Sequence, residues 1–238
     1  MNKPIIKYDV LIPAYNAEKT ISELLLQISA LQQPPENIIV VDDGSEDKTA
    51  QICENHDVRL IRNFENRGKG YVLKVGFRAF LSDSSADYLL CLDADLQHPV
   101  SSIPDFLTTA HKNHSNFVLG VRKDRLKSMP GHRVLSNLLT SQIISWFTGQ
   151  NIADSQCGFR MIHRDVLATV NLRENGYQLE SEMLLECAKE GFTIDCVSIP
   201  TIYSEEESHI ANFSDSYRFT RLIFSELMGR LGWSTRNR

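Results

Sequence analysis

The stretch YLLCLDADLQHP (Tyr88–Pro99) starts with five uncharged, largely apolar residues and ends on two aspartates, a glutamine, a histidine and a proline. A short continuous apolar run reads as a strand covered on both faces, which is the signature of a parallel sheet between layers of helix. Acids placed where such a strand ends sit where open α/β sheets bind their ligands. Upstream, YDVLI (Tyr8–Ile12), NIIVV (Asn37–Val41) and Val58–Ile61 repeat the strand pattern. Between them, Ile21, Leu24, Leu25, Ile28 and Leu31 recur at helical spacing after Asn16, a candidate N-cap, and Pro34-Pro35 ends the pattern. Thr49–Asn55 and Tyr71–Leu81 read as two more helices, and downstream a helix over Ile103–Lys112 precedes a strand over Asn116–Val121. This β-α-β-α order predicts a mostly parallel, doubly wound α/β sheet with helices on both faces.

Beyond residue 121 the rhythm changes. Arg122–Arg133 is basic, and Val134–Phe147 is a long apolar-rich helix pattern. A strand (Gly158–Ile162), helices near Asp165–Val170 and Leu179–Glu190, and a strand (Thr193–Ile199) follow. No repeat or linker divides the chain, so residues 1–238 are expected to form a single domain. Within it, 7–121 would bind one ligand, 122–210 a second, and 211–238 would form an amphipathic tail.

With 25 Lys+Arg against 30 Asp+Glu, the net charge of −5 excludes nucleic-acid binding through bulk positive charge. No apolar run reaches the roughly 18 residues of a membrane span, and the N-terminus lacks a signal-peptide pattern. Five scattered cysteines without a C-x-x-C pair argue against a zinc site or disulfide framework and point to a cytoplasmic protein.

Four blocks carry chemistry. In CLDADLQHP, Asp93 and Asp95 are two apart and would project to the same side of an extended backbone, with Gln97 adding a neutral oxygen. Hard oxygen donors of this kind suit Mg²⁺ or Mn²⁺ beside a phosphate. In VVDDGSEDKT (Val41–Thr49), Asp42 is placed to accept hydrogen bonds from a nucleobase or ribose, whereas Asp43-Gly44-Ser45 also fits an ordinary turn. In IPAYNAEKT (Ile12–Thr20), Pro13 and Tyr15 follow the first strand, and Tyr15 can pack against a base. In NRGKGYVLKVGF (Asn66–Phe77), Gly68 and Gly70 flank Lys69 ahead of a helix, a layout that lets backbone N–H groups approach an anion. It matches neither the P-loop nor the G-x-G-x-x-G pattern.

In this order and spacing the blocks resemble the family-2 glycosyltransferases of the GT-A fold, a Rossmann-like architecture. The likeness is to the polyprenyl-phosphate branch (dolichyl-phosphate mannose or glucose synthase-like) and covers roughly residues 7 to 210. The resemblance implies that Pro13, Tyr15 and Asp42 line a nucleotide pocket, with Lys69 among the donor contacts. It implies that Asp93, Asp95 and Gln97 hold the metal and donor diphosphate. DSQCGFRMI (Asp154–Ile162) matches the acceptor-side segment, with Asp154 and Arg160 in corresponding places, and Arg122 and Arg133 fall where arginines face phosphates. The implied reaction is inverting transfer from a UDP- or GDP-sugar to a polyprenyl phosphate. An acceptor that is already an anion needs orientation more than deprotonation. A saccharide hydroxyl acceptor, the alternative, needs a base, for which Asp154 is the candidate. A non-catalytic nucleotide-sugar-binding module is a third reading, against which the intact Asp93, Asp95 and Gln97 set stands. Glu180, at the start of a helix with Glu182, serves either the acceptor site or the helix dipole. His98, His132 and His163 show no ligand spacing, and the cysteines read as packing residues.

One departure is local. Where comparable synthases carry Arg-x-x-Gly-x-Ser-Lys, this chain has YSEEESH, with Tyr203 and His209 in the Arg and Lys places. The tail Phe213–Arg238 combines aromatics with five arginines and two acids. Together with Val134–Phe147 it is expected either to close the core or to lie on an anionic cytoplasmic membrane face, directly or through a membrane-protein partner.

Overall fold

The computed structural model describes residues 6–123, 131–202 and 220–223; the side chains of residues 132 and 133 are also outside the description. Seven strands form one sheet: β1 (Tyr8–Ala14), β2 (Ile38–Asp42), β3 (Arg59–Arg62), β4 (Tyr88–Cys91), β5 (Phe117–Arg122), β6 (Arg160–His163) and β7 (Ile194–Ile199). Their order across the sheet is β3-β2-β1-β4-β6-β5-β7. Every pairing is parallel except those of β6, which runs against both β4 and β5. The expected mostly parallel sheet is therefore present, with one reversed strand in its interior, fifth of the seven.

The helices are α1 (Ile21–Ser29), α2 (Thr49–Glu54), α3 (Lys69–Asp83), α4 (Ile103–Asn113), α5 (Gly131–Thr148), α6 (Arg164–Thr169) and α7 (Leu179–Lys189). The buried residues of α1 are Ile21, Leu24, Leu25 and Ile28, which repeats the spacing read from sequence. β2 and β4 are buried along their whole length, as strands with helices on both faces must be. Among the described residues no helix is long and apolar enough to cross a membrane.

Three local expectations are corrected. The N-cap position of α1 is Thr20, not Asn16. Asn16 instead sits in the left-handed region (φ 51°), where its side chain accepts from the Glu46 N–H and helps clip two loops together. Gly70 does not precede α3 but lies in its first turn, where a Cβ would come within 2.5 Å of the Gly176 carbonyl oxygen and only glycine fits. Finally, β4 ends at Cys91, so Asp93 and Asp95 belong to a turn containing left-handed Leu96 (φ 61°) and not to extended backbone.

Helix α5 carries an inverted distribution of side chains. Asn137, Thr140 and Ser141 are buried, alongside Val134, Ile144 and Phe147, whereas Leu135, Leu138, Leu139 and Trp146 are exposed. The polar residues face inward because they support the segment that leads into β6: Ser141 Oγ donates to Ser155 Oγ at 3.1 Å and accepts from the Ser155 N–H at 3.0 Å. Of the tail, only residues 220–223 are described. There Leu222 is buried in the core and Arg221 pairs with Glu174 at 2.9 Å.

Candidate active site

The carboxyl ends of β1, β2 and β4 point to one edge of the sheet, and the loops leaving them are stitched together. The Asn16 N–H donates to Ser45 Oγ (2.9 Å), the Ala17 N–H to Thr49 Oγ1 (2.7 Å) and the Glu18 N–H to Asp47 Oδ2 (3.0 Å). IPAYNAEKT and VVDDGSEDKT are therefore the two halves of one clasp.

Asp42 is completely buried, and its Oδ1 accepts from the hydroxyl and the N–H of Ser45. Its Oδ2 is ion-paired with Arg62, 3.2 Å from the guanidinium Nε, without good hydrogen-bond geometry. The guanidinium offsets part of the cost of burying that charge. Asp43, read from sequence as fitting a plain turn, has a structural task. It accepts from Asn63 Nδ2 (2.7 Å), the Arg67 N–H (3.0 Å) and the Gly68 N–H (2.8 Å). The Tyr71 N–H goes to the Asn175 carbonyl. The N–H groups of Arg67, Gly68 and Tyr71 are thus taken by Asp43 and Asn175, contacts that place Lys69 at the start of α3. Tyr15, Gly44, Ser45, Arg62, Phe64 and Asn66 are among the residues lining a cleft of about 510 Å³.

Lys69 is the centre of the site. Its Nζ lies 2.7 Å from Asp93 Oδ1 and 3.0 Å from Glu180 Oε1. Burial alone would lower its pKa, but the two carboxylates override that and hold it above the ordinary lysine range. Lys69, Asp93 and Glu180 line one small pocket, and Pro13 lines it with them. Burial works against the Asp93 charge, yet Lys69 and His98 keep its pKa below the usual carboxylate range. Asp95 is shifted the other way, by burial and by the Asp93 charge. His98, which sequence reading treats as bland, supports the turn: its Nδ1 accepts from the Asp93 N–H at 3.0 Å and its ring stacks on Phe159. The signal available in sequence was the sharp L-Q-H-P ending, which says turn but not which group accepts.

The donor chemistry fits a hard divalent cation. Burial first and the Asp93 charge second raise the Asp95 pKa, and a cation would offset both, while the Gln97 N–H bonds to Asp95 Oδ1 to hold the turn. Among the described residues no group of three or more His, Cys, Asp or Glu side chains forms a cage. A two-carboxylate site leaves further positions for water and phosphate oxygens, as Mg²⁺ prefers.

On the other side, Arg122 and Asp154 form a bidentate pair (Nε to Oδ2 2.8 Å, Nη2 to Oδ1 2.9 Å), and Asn137 Nδ2 donates to Asp154 Oδ1 at 2.7 Å. Both Asp154 oxygens are engaged and the residue is fully buried, an environment that suits a counter-ion better than the general base read from sequence. Arg160 bonds the carbonyls of Cys157, Glu180 and Ser155, so its guanidinium ties the segment before β6 to α7. Glu180 faces Lys69, whereas Glu182 accepts from the Arg173 and Glu174 N–H groups and shapes a loop. The side chain of Arg133, and Tyr203 and His209, lie outside the described residues.

A model of glycosyl transferase family 2 matches residues 9–170, more than half of the chain. The chain belongs to this family. This family-2 glycosyltransferase is 33% identical over 208 residues to an uncharacterized protein of Methanocaldococcus jannaschii, covering 82% of this chain and 88% of that one. It is 30% identical over 218 residues to the UDP-N-acetylglucosamine–dolichyl-phosphate N-acetylglucosaminyltransferase of Methanococcus voltae, covering 82% of this chain and 86% of the relative. Its fold matches that of glucosyl-3-phosphoglycerate synthase from Mycobacterium tuberculosis, crystallised with Mn²⁺, UDP and glucosyl-3-phosphoglycerate. The TM-score is 0.73 at 18% identity, covering 97% of this chain and 82% of the other. The family and the GT-A fold that the motif order implied are both found.

Proposed function

We propose that this glycosyltransferase moves a sugar, with inversion, from a nucleoside-diphosphate sugar to a polyprenyl phosphate at a membrane surface. The observation that carries the reading is the convergence of Lys69, Asp93, Asp95 and Glu180 on one edge of the sheet, between a cleft and a set of arginines. Tyr15 and Arg62 line the cleft that would receive the nucleoside, with Asp42 paired to Arg62. Asp93, Asp95 and Gln97 would hold Mg²⁺ or Mn²⁺, which neutralises charge on the departing diphosphate. Lys69 adds a fixed positive charge beside them. Asp154 holds Arg122 rigid so that the guanidinium's remaining surface can meet a phosphate, and Arg160 acts by positioning the segment before β6. No base is assigned, because a lipid phosphate is already anionic at neutral pH.

The lipid acceptor is supported by the named acceptor of the Methanococcus voltae relative and by the exposed leucines of α5. Helix α5 (Gly131–Thr148) contains no acidic residue, and Leu135, Leu138, Leu139 and Trp146 are suited to the interface of an anionic cytoplasmic leaflet.

The test is a thermal-shift series with UDP- and GDP-sugars and Mn²⁺, followed by transfer assays on short-chain polyprenyl phosphates. Stabilisation by one sugar nucleotide, lost in Asp95→Ala, and product on the lipid phosphate are expected. The proposal fails if no sugar nucleotide stabilises the protein, or if Asp95→Ala is stabilised as well as the wild type.

A further inference from the structure

Phe64 has more of its surface exposed than any other large apolar residue described, with a relative exposure of 108%. Full exposure of a phenylalanine forfeits the burial that usually makes the residue worth having. Its backbone, however, is anything but loose. On one side, the Asn63 N–H donates to the Asp42 carbonyl at 2.8 Å and Asn63 Nδ2 to Asp43 at 2.7 Å. On the other, the Arg67 and Gly68 N–H groups close onto the same Asp43 carboxylate. Between them, Glu65 packs so closely on the next turn that a Cβ on Gly44 would come within 2.8 Å of the Glu65 carbonyl carbon. Gly44 itself has a positive φ of 74°, so only glycine sits there without strain. The loop is therefore a rigid arm, and the feature it presents is a bare aromatic ring.

Phe64 lines the same cleft as Tyr15, which is half-exposed and comes from the loop after β1. Arg62 lines the cleft too, and its Nε pairs with the buried Asp42 Oδ2 at 3.2 Å. Two aromatic faces beside a guanidinium and its carboxylate make a site for a flat ligand that carries polar groups on its edge. A nucleobase with its ribose has that chemistry. Aromatic rings stack on every base through their π-faces, whatever the hydrogen-bonding edge.

We propose that Phe64 is a stacking residue for the nucleobase of the donor, working with Tyr15 across the cleft. The inference rests on the proposed use of a nucleoside-diphosphate donor and assigns Phe64 a positioning role in it. Because the arm is anchored on Asp42 and Asp43, the ring is held in place before the ligand arrives, so little ordering cost falls on binding. The same anchors link base recognition to Lys69, since Asp43 fixes both Phe64 and the start of α3.

The experiment measures binding of UDP, GDP and inorganic pyrophosphate, each with Mn²⁺, to wild type, Phe64→Ala and Phe64→Trp by isothermal titration calorimetry. Phe64→Ala is expected to weaken the nucleoside diphosphates by roughly tenfold or more, with pyrophosphate unchanged, and Phe64→Trp to retain nucleotide affinity. Equal losses for UDP and pyrophosphate would mean that the loop, not a stacked base, is responsible, and unchanged UDP and GDP affinity in Phe64→Ala would also overturn the inference. Melting curves of Phe64→Ala should match wild type, because the side chain contributes no buried surface. Wild-type protein that binds neither UDP nor GDP would overturn the donor reading itself, and with it the stacking assignment.

Discussion

Replacing Asp154 by asparagine separates a structural counter-ion from a catalytic base. The side chain is 0% exposed and its partner Arg122 is 19% exposed. Three hydrogen bonds of 2.7–2.9 Å arrive from Arg122 and Asn137 side chains, and every one of these groups is a donor. An amide in place of the carboxylate must turn its own NH₂ towards one of them, whichever way it flips. Breaking a buried ion pair by removing one partner costs about 3–5 kcal/mol, and partial access of Arg122 to water favours the lower end. At about 3 kcal/mol, a domain of this size loses roughly 6–12 °C in Tm. Thermal unfolding followed by circular dichroism should show that drop in Asp154→Asn, with Arg122→Met/Asp154→Leu recovering part of it, because exchanging both partners for apolar groups is close to neutral. If Asp154→Asn instead melts within about 2 °C of wild type and loses only transfer, the counter-ion argument is refuted and Asp154 is the base.

Three further outcomes follow from the same geometry. Gly70→Ala drives a Cβ against backbone atoms of Asn175 and Gly176, at 2.5–2.8 Å. It should lower urea-unfolding stability by about 1–3 kcal/mol and weaken Mn²⁺–UDP binding by displacing Lys69. Asp43→Ala leaves the donors of Asn63, Arg67 and Gly68 without their acceptor. A loss of about 2–4 kcal/mol in chemical denaturation is expected, together with weaker UDP binding, whereas unchanged stability would remove Asp43 from its role. Burial pushes the thiols of Cys91, Cys157 and Cys187 up to about 12 and that of Cys53 up to about 11, and all four are buried while Cys196 is exposed. The Cys196 thiol is raised by burial too, but its exposure leaves it the one reagent-accessible sulfur, so labelling of native protein by a chromogenic disulfide should count one accessible thiol, and five after unfolding.

Much of the fold was legible because hydrophobic spacing is a local property. The buried set of α1 and the apolar run of β4 follow directly from residues that repeat every three to four positions or stand in an unbroken row. The order of strands is a different matter. Nothing in the spacing says that the strand beginning at Arg160 inserts between β4 and β5 and runs against both. The site was legible as residue types and much less as roles. Asp93 and Asp95 stood out by their position after an apolar strand, but the pairing of Arg122 with Asp154 joins groups 32 residues apart. No sequence period records such a contact. His98 and the structural task of Asp43 were not legible for a related reason: His98 accepts from a backbone N–H and Asp43 chiefly from two more, groups that every residue carries and no motif displays. The broad apolar face read over Val134–Phe147 divides in two, since Asn137 and Ser141 point inward to hold Asp154 and Ser155. Composition counts their polarity and cannot count what they support.

The reversal of β6 has a consequence for how this molecule could be altered. Because β5 and β6 are antiparallel neighbours in register at Leu119 and Arg160, the chain leaves the sheet and returns to it across one short edge. The described residues between Arg122 and Arg160, α5 included, form an excursion whose two ends are already side by side, with the Arg122–Asp154 pair at its neck. The pairings of β1 with β2 and β4, and of β2 with β3, involve none of it. The excursion is thus a natural cassette: exchanged at its neck, it would carry a new surface to the Asp93 edge while the nucleoside cleft and its clasp of loops keep their framework.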